Sequence, residues 1–201
     1  MNEIAEIARQ WLMKNPVFLD TETTGLDGAE ICDIAIVAAN GSVLLNTLVK
    51  PTISIPAGAT AVHGIADADV ANAPSFANVW PEVKRLLAGR EVVIYNAAYD
   101  RARLLDSAAA VGLSAEAHKI LSATACHCAM ELYAEFFGDW NSYHGSYRWQ
   151  KLGDAGRQCR VALPSDMKLH RAQADAELTR QIVLRMAATP QEAEHHQAEH
   201  H

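Results

Sequence analysis

The sequence predicts an α/β layered domain whose sheet is antiparallel along one side and parallel along the other. Three observations predict it. Asn40-Gly41 joins two apolar, strand-like runs, Ile31 to Ala39 and Ser42 to Val49. Asn-Gly between such runs is a strong hairpin signal, because a type I′ turn needs positive φ at both positions. Glu91 to Tyr95 carries Val92, Val93 and Ile94 in a continuous apolar run typical of a buried strand, and the chain passes from it straight into a helical pattern. Most of what remains places apolar residues at the 3.6-residue period of helices.

The bulk numbers fit one such domain. The chain has 201 residues, half of them hydrophobic and a fifth charged, enough for one sizeable core. Its formal net charge of −7 argues against a general nucleic-acid coating protein but leaves room for an enzyme that grips a short end. No apolar run approaches the roughly 18 to 20 residues of a membrane span, and the N-terminus lacks the apolar centre of a signal peptide. A cytoplasmic protein without membrane contact is expected. The cysteines, Cys32, Cys126, Cys128 and Cys159, show no disulfide-scaffold pattern. Cys126-His127-Cys128 has no second Cys/His pair at zinc-ligand spacing, so buried free cysteines in a helix are the better reading.

Residues 1–16 read as an amphipathic helix, with Ile4, Ile7, Ala8, Trp11 and Leu12 on one face and Pro16 separating it from the first strand. It is expected to pack on the domain as an extra element. The first strand starts apolar at Val17-Phe18-Leu19 and turns acidic at Asp20 and Glu22. Strand alternation points those two carboxylates the same way. Side by side on a buried strand they repel, and each is costly to desolvate; a hard divalent cation with its preference for oxygen ligands is the natural remedy.

After the hairpin, Pro51 and Pro56 break the chain into a loop containing Val62-His63-Gly64-Ile65. Pro74-Ser75 opens a helix with Phe76, Val79, Trp80, Val83, Leu86 and Leu87 inward. Pro81 within it is tolerable if the regular helix starts nearer Asn78. Gly89 ends it. Asn96 to Asp100 leads from the buried strand into a helix carrying Leu104, Leu105, Ala108 and Val111. Residues 124–137 read as another helix, Gly138 to Trp149 as an aromatic loop, the stretch near Gln150 to Cys159 as a helix, and about Arg171 to Ala188 as the last helix. Residues 189–201 are polar and His-rich and read as a disordered tail.

Besides Asp20 and Glu22, Asp100 opens the helix after the buried strand, and Asp175 lies in the last helix just after His170. Each alone is ordinary, since an Asp near a helix start is usually a cap. Their combination carries more. Phe18-Leu19-Asp20-Thr21-Glu22-Thr23-Thr24-Gly25-Leu26, Tyr95-Asn96-Ala97-Ala98-Tyr99-Asp100 and His170-Arg171-Ala172-Gln173-Ala174-Asp175-Ala176 stand in the order of three family motifs. The chain resembles a DEDDh-type 3′–5′ exonuclease of the DnaQ-like family over about residues 17–185. One departure is Tyr95, where the family commonly has His.

The resemblance implies an RNase H-like fold with a mixed five-stranded sheet and helices on both faces, an exonuclease domain over 17–188. It implies two Mg²⁺ or Mn²⁺ ions held by Asp20, Glu22, Asp100 and Asp175. Two ions about 3.5–4 Å apart clamp an in-line phosphoryl displacement, one activating water and the other stabilising the leaving 3′-oxyanion. The product is then a nucleoside 5′-monophosphate. His170 is the candidate general base, since imidazole titrates near neutrality. Five residues on one continuous helix would set His170 and Asp175 roughly 140° apart, so His170 is expected on the loop or first turn before the helix. Thr23, Gly25 and Leu26 are expected to seat the terminal nucleotide, with His63 and Asn96 as further contacts.

The expected substrate is the 3′ end of single-stranded nucleic acid, with DNA favoured. The alternative is an RNA-trimming exonuclease or oligoribonuclease of the same fold, and a more distant one is an inactive nucleic-acid-binding domain. Trp140, Tyr143, Tyr147 and Trp149, with Arg148 and Lys151, have three open roles: stacking on bases, core packing, or a homodimer contact. No polymerase- or clamp-binding segment is recognisable.

Overall fold

The computed structural model describes residues 2–190. The chain opens with helix α1 (Asn2–Met13) and continues through β1 (Val17–Thr23), β2 (Ile31–Ala38) and β3 (Val43–Leu48). Short helices α2 (Ala57–His63) and α3 (Asp67–Val70) precede the longer α4 (Phe76–Leu87). Then come β4 (Val92–Ile94), α5 (Ala97–Ala110), α6 (Ser114–Ala123), β5 (Cys126–Cys128) and α7 (Ala129–Phe137). A small hairpin, β6 (Trp140–Asn141) and β7 (Ser146–Tyr147), leads to α8 (Leu152–Gln158) and α9 (Ala172–Ala187).

The main sheet has five strands in the order β3-β2-β1-β4-β5. β1 runs antiparallel to β2 and parallel to β4, and β5 is parallel to β4. The mixed RNase H-like sheet expected from the sequence is therefore present. Alternation along β1 and β4 divides the core into two layers. Val17, Leu19, Val92 and Ile94 pack with Trp80, Leu104 and Leu121 from α4, α5 and α6. Phe18 and Val93 face the other way and pack with Ala8, Tyr133, Ile182 and Met186 from α1, α7 and α9. Helix α1 is tied to the end of α9 by Arg9, whose Nη1 donates to the Ala187 carbonyl at 2.9 Å. No described helix is long and apolar enough to cross a membrane.

Several local expectations change. The hairpin turn is not type I′: Gly41 has φ +88°, whereas Asn40 is not among the positive-φ residues. The Gly41 amide donates to the Ala38 carbonyl at 2.9 Å, so Ala39 and Asn40 form the turn and Gly41 the left-handed residue after it. The Asn40 side chain instead accepts from the Ser42 amide at 3.0 Å. The loop expected around His63 is helical, with Gly64 ending α2 in the left-handed conformation. Helix α4 begins at Phe76 rather than near Asn78, and Pro81 sits inside it. Pro81 is on the exposed side, where solvent can reach the carbonyl whose helical partner it removes.

Residues 124–137 are not one helix. Cys126-His127-Cys128 form the edge strand β5, and the preceding α6 was not anticipated. All four cysteines are free thiols, and His127 is occupied by Glu91 at 2.7 Å and by stacking on Trp11. The aromatic loop contains the β6–β7 hairpin. The expectation for 191–201 falls outside the described residues.

The turn geometry gives a stability test. Gly41→Ala forces a Cβ into a left-handed residue, 3.2 Å from the Arg180 guanidinium, and is expected to cost about 1–2 kcal/mol or more in urea unfolding. Asn40→Ala loses one exposed hydrogen-bonding group and is expected to cost at most about 1 kcal/mol. A larger loss at Asn40 than at Gly41 would contradict the turn described here.

Candidate active site

β1 is the middle strand of the sheet, and the site grows from its C-terminal half. The backbone alternates Asp20 and Glu22 onto the α9 face, while Thr21 and Thr23 turn inward and are buried. Asp175 enters from the first turn of α9. Its neighbours Ala172, Ala174 and Ala176 are buried and small, which lets α9 approach the sheet closely. One carboxylate oxygen from each of Asp20, Glu22 and Asp175 lies within 4.8 Å of the others. Among the described residues this is the group of three or more metal-competent side chains that the fold assembles.

Asp100 reaches the site from the opposite layer. It lies in the first turn of α5, buried, and its Oδ1 accepts from the Thr21 hydroxyl at 2.8 Å. It stands beside the three-oxygen cluster rather than within it, and its charge is the largest electrostatic influence of any neighbour on Asp20.

Burial and mutual repulsion hold these carboxyls far above the usual range. Burial first, then Asp100, Asp175 and Glu22, raises Asp20 well above a normal carboxylate. Glu22 is pushed up to about 8 by burial and by Asp175, Asp33 and Asp100, against the opposing Arg171. Burial lifts Asp100 to about 7 despite the Thr21 hydrogen bonds. Asp175 rises to about 6 through burial, opposed by the His170 amide and imidazole. A set of converging oxygen ligands that pay such a penalty when charged alone fits a hard divalent cation.

His170 lies just before α9, as the spacing argument requires. Its φ is +63°, an uncommon conformation for a residue with a Cβ. That twist aims its amide at Asp175 Oδ1, 3.2 Å away, and leaves the imidazole exposed. The next residue anchors the twist. Arg171 Nε donates to Asp33 Oδ2 at 2.8 Å, and the Ala172 amide approaches the same oxygen at 3.4 Å. Asp33 is almost fully buried in β2, directly across from Glu22.

Asp33 is a site residue that sequence reasoning missed. Its signal was a charged residue inside an apolar strand, which demands a partner; the partner emerges only with the register and the position of α9.

The segment after β1 is held by internal hydrogen bonds. The Thr23 hydroxyl, the Tyr99 phenol and the Gly25 carbonyl form a triangle, with Thr23 to Gly25 at 2.8 Å and the other two sides at 2.6 Å. Thr23 thus spends its hydroxyl on loop shape. Tyr99, not anticipated, carries the buried Arg103 guanidinium 5.1 Å from its ring centroid. A Cβ at Gly25 would meet only Ala29 at 4.0 Å, so that flank is open to a ligand. Leu26 is 76% exposed and free to contact one.

His63 is buried, with Nδ1 accepting from the Ile65 amide at 3.1 Å and Nε2 placed 3.2 Å from the Thr23 carbonyl. That pairing selects the neutral tautomer with the proton on Nε2, and burial lowers its pKa. His63 braces Thr23 and has no ring nitrogen left for a direct contact. Asn96 is exposed.

Two clefts flank the cluster. One of about 550 Å³ opens on the β2 side, bordered by Asp33, His63 and Arg171. The other, about 510 Å³, opens on the β4 side, bordered by Tyr95, Asn96, Trp149, His170 and Asp175. Leu169 borders both.

Comparisons with known proteins find likeness in both sequence and fold. The family model RNase_T, described as Exonuclease, matches residues 17–183. An uncharacterized exonuclease, CP81, of Escherichia phage 186 is 41% identical over 181 residues, spanning 90% of this chain and 92% of that protein. The structure of Exonuclease X in complex with 5′-overhanging duplex DNA superimposes with a TM-score of 0.62 at 24% identity, covering 85% of this chain and 89% of that one. The Mg²⁺- and Mn²⁺-bound form of Pop2p from S. pombe superimposes with a TM-score of 0.63 at 16% identity, covering 90% and 85%.

The raised carboxyls set a pH dependence. In the unfolded chain they ionise near pH 4, whereas folded Asp175, Asp100 and Glu22 keep their protons to about 6, 7 and 8. The folded state therefore binds more protons across that window, and the stability of the metal-free protein falls as pH rises through it. Thermal unfolding in EDTA is expected to show a lower Tm at pH 8 than at pH 5.5 from these groups. Added Mg²⁺ or Mn²⁺ is expected to raise Tm more at pH 8, because the ligands must be deprotonated to bind. A larger metal effect at pH 5.5 would contradict the assignment.

Proposed function

This chain belongs to the RNase_T exonuclease family, of the DnaQ-like type with an RNase H-like fold, and is a nuclease; from that premise we propose that it is a DEDDh 3′–5′ exonuclease. On this reading it releases nucleoside 5′-monophosphates from the 3′ ends of single strands, with DNA the favoured substrate. The observation that carries the proposal is the convergence of Asp20, Glu22 and Asp175 oxygens within 4.8 Å, beside a histidine that precedes α9.

Asp20, Glu22, Asp175 and Asp100 are the residues that would hold two divalent ions, Mg²⁺ or Mn²⁺. The divalent ions of the similarly folded Pop2p support that choice. Bound there, the ions would supply Lewis acidity and neutralise charge on the phosphoryl oxygens.

The remaining work falls to protein groups. The exposed His170 imidazole takes the proton from the attacking water, while its amide keeps Asp175 oriented. Thr23, Gly25 and Leu26 seat the terminal nucleotide: Gly25 leaves room for its approach, and exposed Leu26 lies against its base. His63 serves the nucleotide through the Thr23 backbone it braces, and exposed Asn96 borders the strand on the β4 side. The DNA bound by Exonuclease X supports DNA over RNA here, at the level of shared fold.

Labelled DNA and RNA oligomers test the proposal. A ladder that shrinks from the 3′ end with Mg²⁺ or Mn²⁺, stops in EDTA and is faster on DNA is expected. Asp20→Ala is expected to abolish cleavage without unfolding. His170→Ala is expected to cut the rate by roughly 10²–10⁴ while substrate binding persists. Internal cuts, metal independence or a full rate without His170 would each overturn the corresponding part, and faster RNA decay would reverse the substrate preference.

A further inference from the structure

The cleft on the β4 side holds more than the proposed reaction uses. Its inner border is His170 and Asp175, and its outer border is Trp149, Lys151 and Arg157. Trp149 is 68% exposed, too open to be a core residue. Its backbone is nevertheless tied on both sides. The Arg148 amide donates to the Asp139 carbonyl at 2.8 Å, closing the base of the β6–β7 hairpin on one side of Trp149. On its other side the Tyr95 phenol donates to the Gln150 carbonyl at 2.8 Å. Tyr95 leads out of β4 one residue before Asn96, so the Trp149 backbone is tied to the same strand end that presents Asn96 to the cleft.

Pinning the backbone on both sides of an exposed indole reduces the ordering that stacking on a base requires, leaving only the side-chain torsions to be fixed. The charges match the same occupant. Lys151 has no ion-pair partner among the described residues; Arg157 is paired with Asp154, which borders the same cleft, but remains largely exposed, so Lys151 carries the uncompensated charge. In a chain of net charge −7, this puts cations beside an indole at one mouth of an acidic active site.

The geometry points to this cleft as the subsite for the single strand 5′ of the scissile phosphodiester, with Trp149 stacking on an upstream base and Lys151 and Arg157 facing its phosphates. The assignment rests on the exonuclease reading above and extends it. β1 separates the two sides: the terminal nucleotide is seated at Thr23 to Leu26, where His63 braces the backbone from the β2 side, and the strand leaves past Asn96 on the β4 side. A strand running there crosses the carboxylates and meets Trp149 next.

The test compares a single-stranded thymidine oligonucleotide with the p-nitrophenyl ester of thymidine 5′-monophosphate, which carries the terminal nucleotide but no upstream strand. Trp149→Ala is expected to lower kcat/KM on the oligonucleotide about tenfold or more, mostly through KM, and to change the ester by less than about twofold. Trp149→Phe is expected to restore most of the difference. Lys151→Gln is expected to flatten the salt dependence of oligonucleotide KM by about one phosphate contact. Equal losses on both substrates, or none on the oligonucleotide, would overturn the subsite while leaving the exonuclease reading intact. If the unmodified protein hydrolyses neither substrate, that reading fails and the subsite with it.

Discussion

Carboxylate crowding is the constraint on which the rest of this structure depends. Strand alternation sends Asp20 and Glu22 to one face of the central strand, and α9 adds Asp175 to them. Asp100 then approaches from the opposite helical layer. Like charges this close and this buried oppose folding, so the surrounding groups are those that limit the penalty without removing the charges. The Thr21 hydroxyl, the His170 amide and the Arg171 guanidinium all do this from the edge. None donates into the centre, where the three oxygens face one another and a cation's ligands belong.

The ends of the central elements are braced by hydrogen bonds within the protein. His63, at the end of α2, fixes the Thr23 carbonyl. Tyr99, in the first turn of α5, fixes the Gly25 carbonyl, with the Arg103 guanidinium against its ring. The left-handed twist at His170 costs of the order of 1 kcal/mol or more, and the Asp33–Arg171 pair beside it holds the chain in that conformation. Arg171 serves twice: it satisfies one oxygen of a carboxylate that burial would otherwise leave exposed to a large desolvation cost, and it sets where α9 begins.

What the sequence disclosed follows from range. The period of two placed Asp20 and Glu22 together, and the 3.6 period placed His170 off the helix that carries Asp175; both are local rules, and both describe the structure. The motif order supplied the mixed sheet. What it did not disclose depends on distant partners. Cys126-His127-Cys128 becomes a strand only because β4 offers an edge to pair with, and no β-branched residue in it signals that. The type I′ expectation at Asn40-Gly41 yielded to a turn in which Asn40 spends its side chain on Ser42. Asp33 gains its meaning from a cross-strand register and a helix 138 residues away.

Tyr95 shows how a departure from the family pattern acquires a physical reading. Where the family commonly carries His, this chain places a phenol that is buried and whose hydroxyl reaches the Gln150 carbonyl. Burial raises its pKa further, so it stays a neutral donor. Its ring lies in the same apolar layer as Phe18, the residue two before Asp20 on β1. The contact thereby ties the start of α8 and the base of the aromatic hairpin to the strand end next to Asn96. Leu169, before His170, borders the clefts on both sides of β1. Through these two residues the walls of both clefts connect to the elements that carry the carboxylates, which is the arrangement that the proposed seating of a nucleotide at Thr23 to Leu26 and of an upstream strand in the outer cleft draws on.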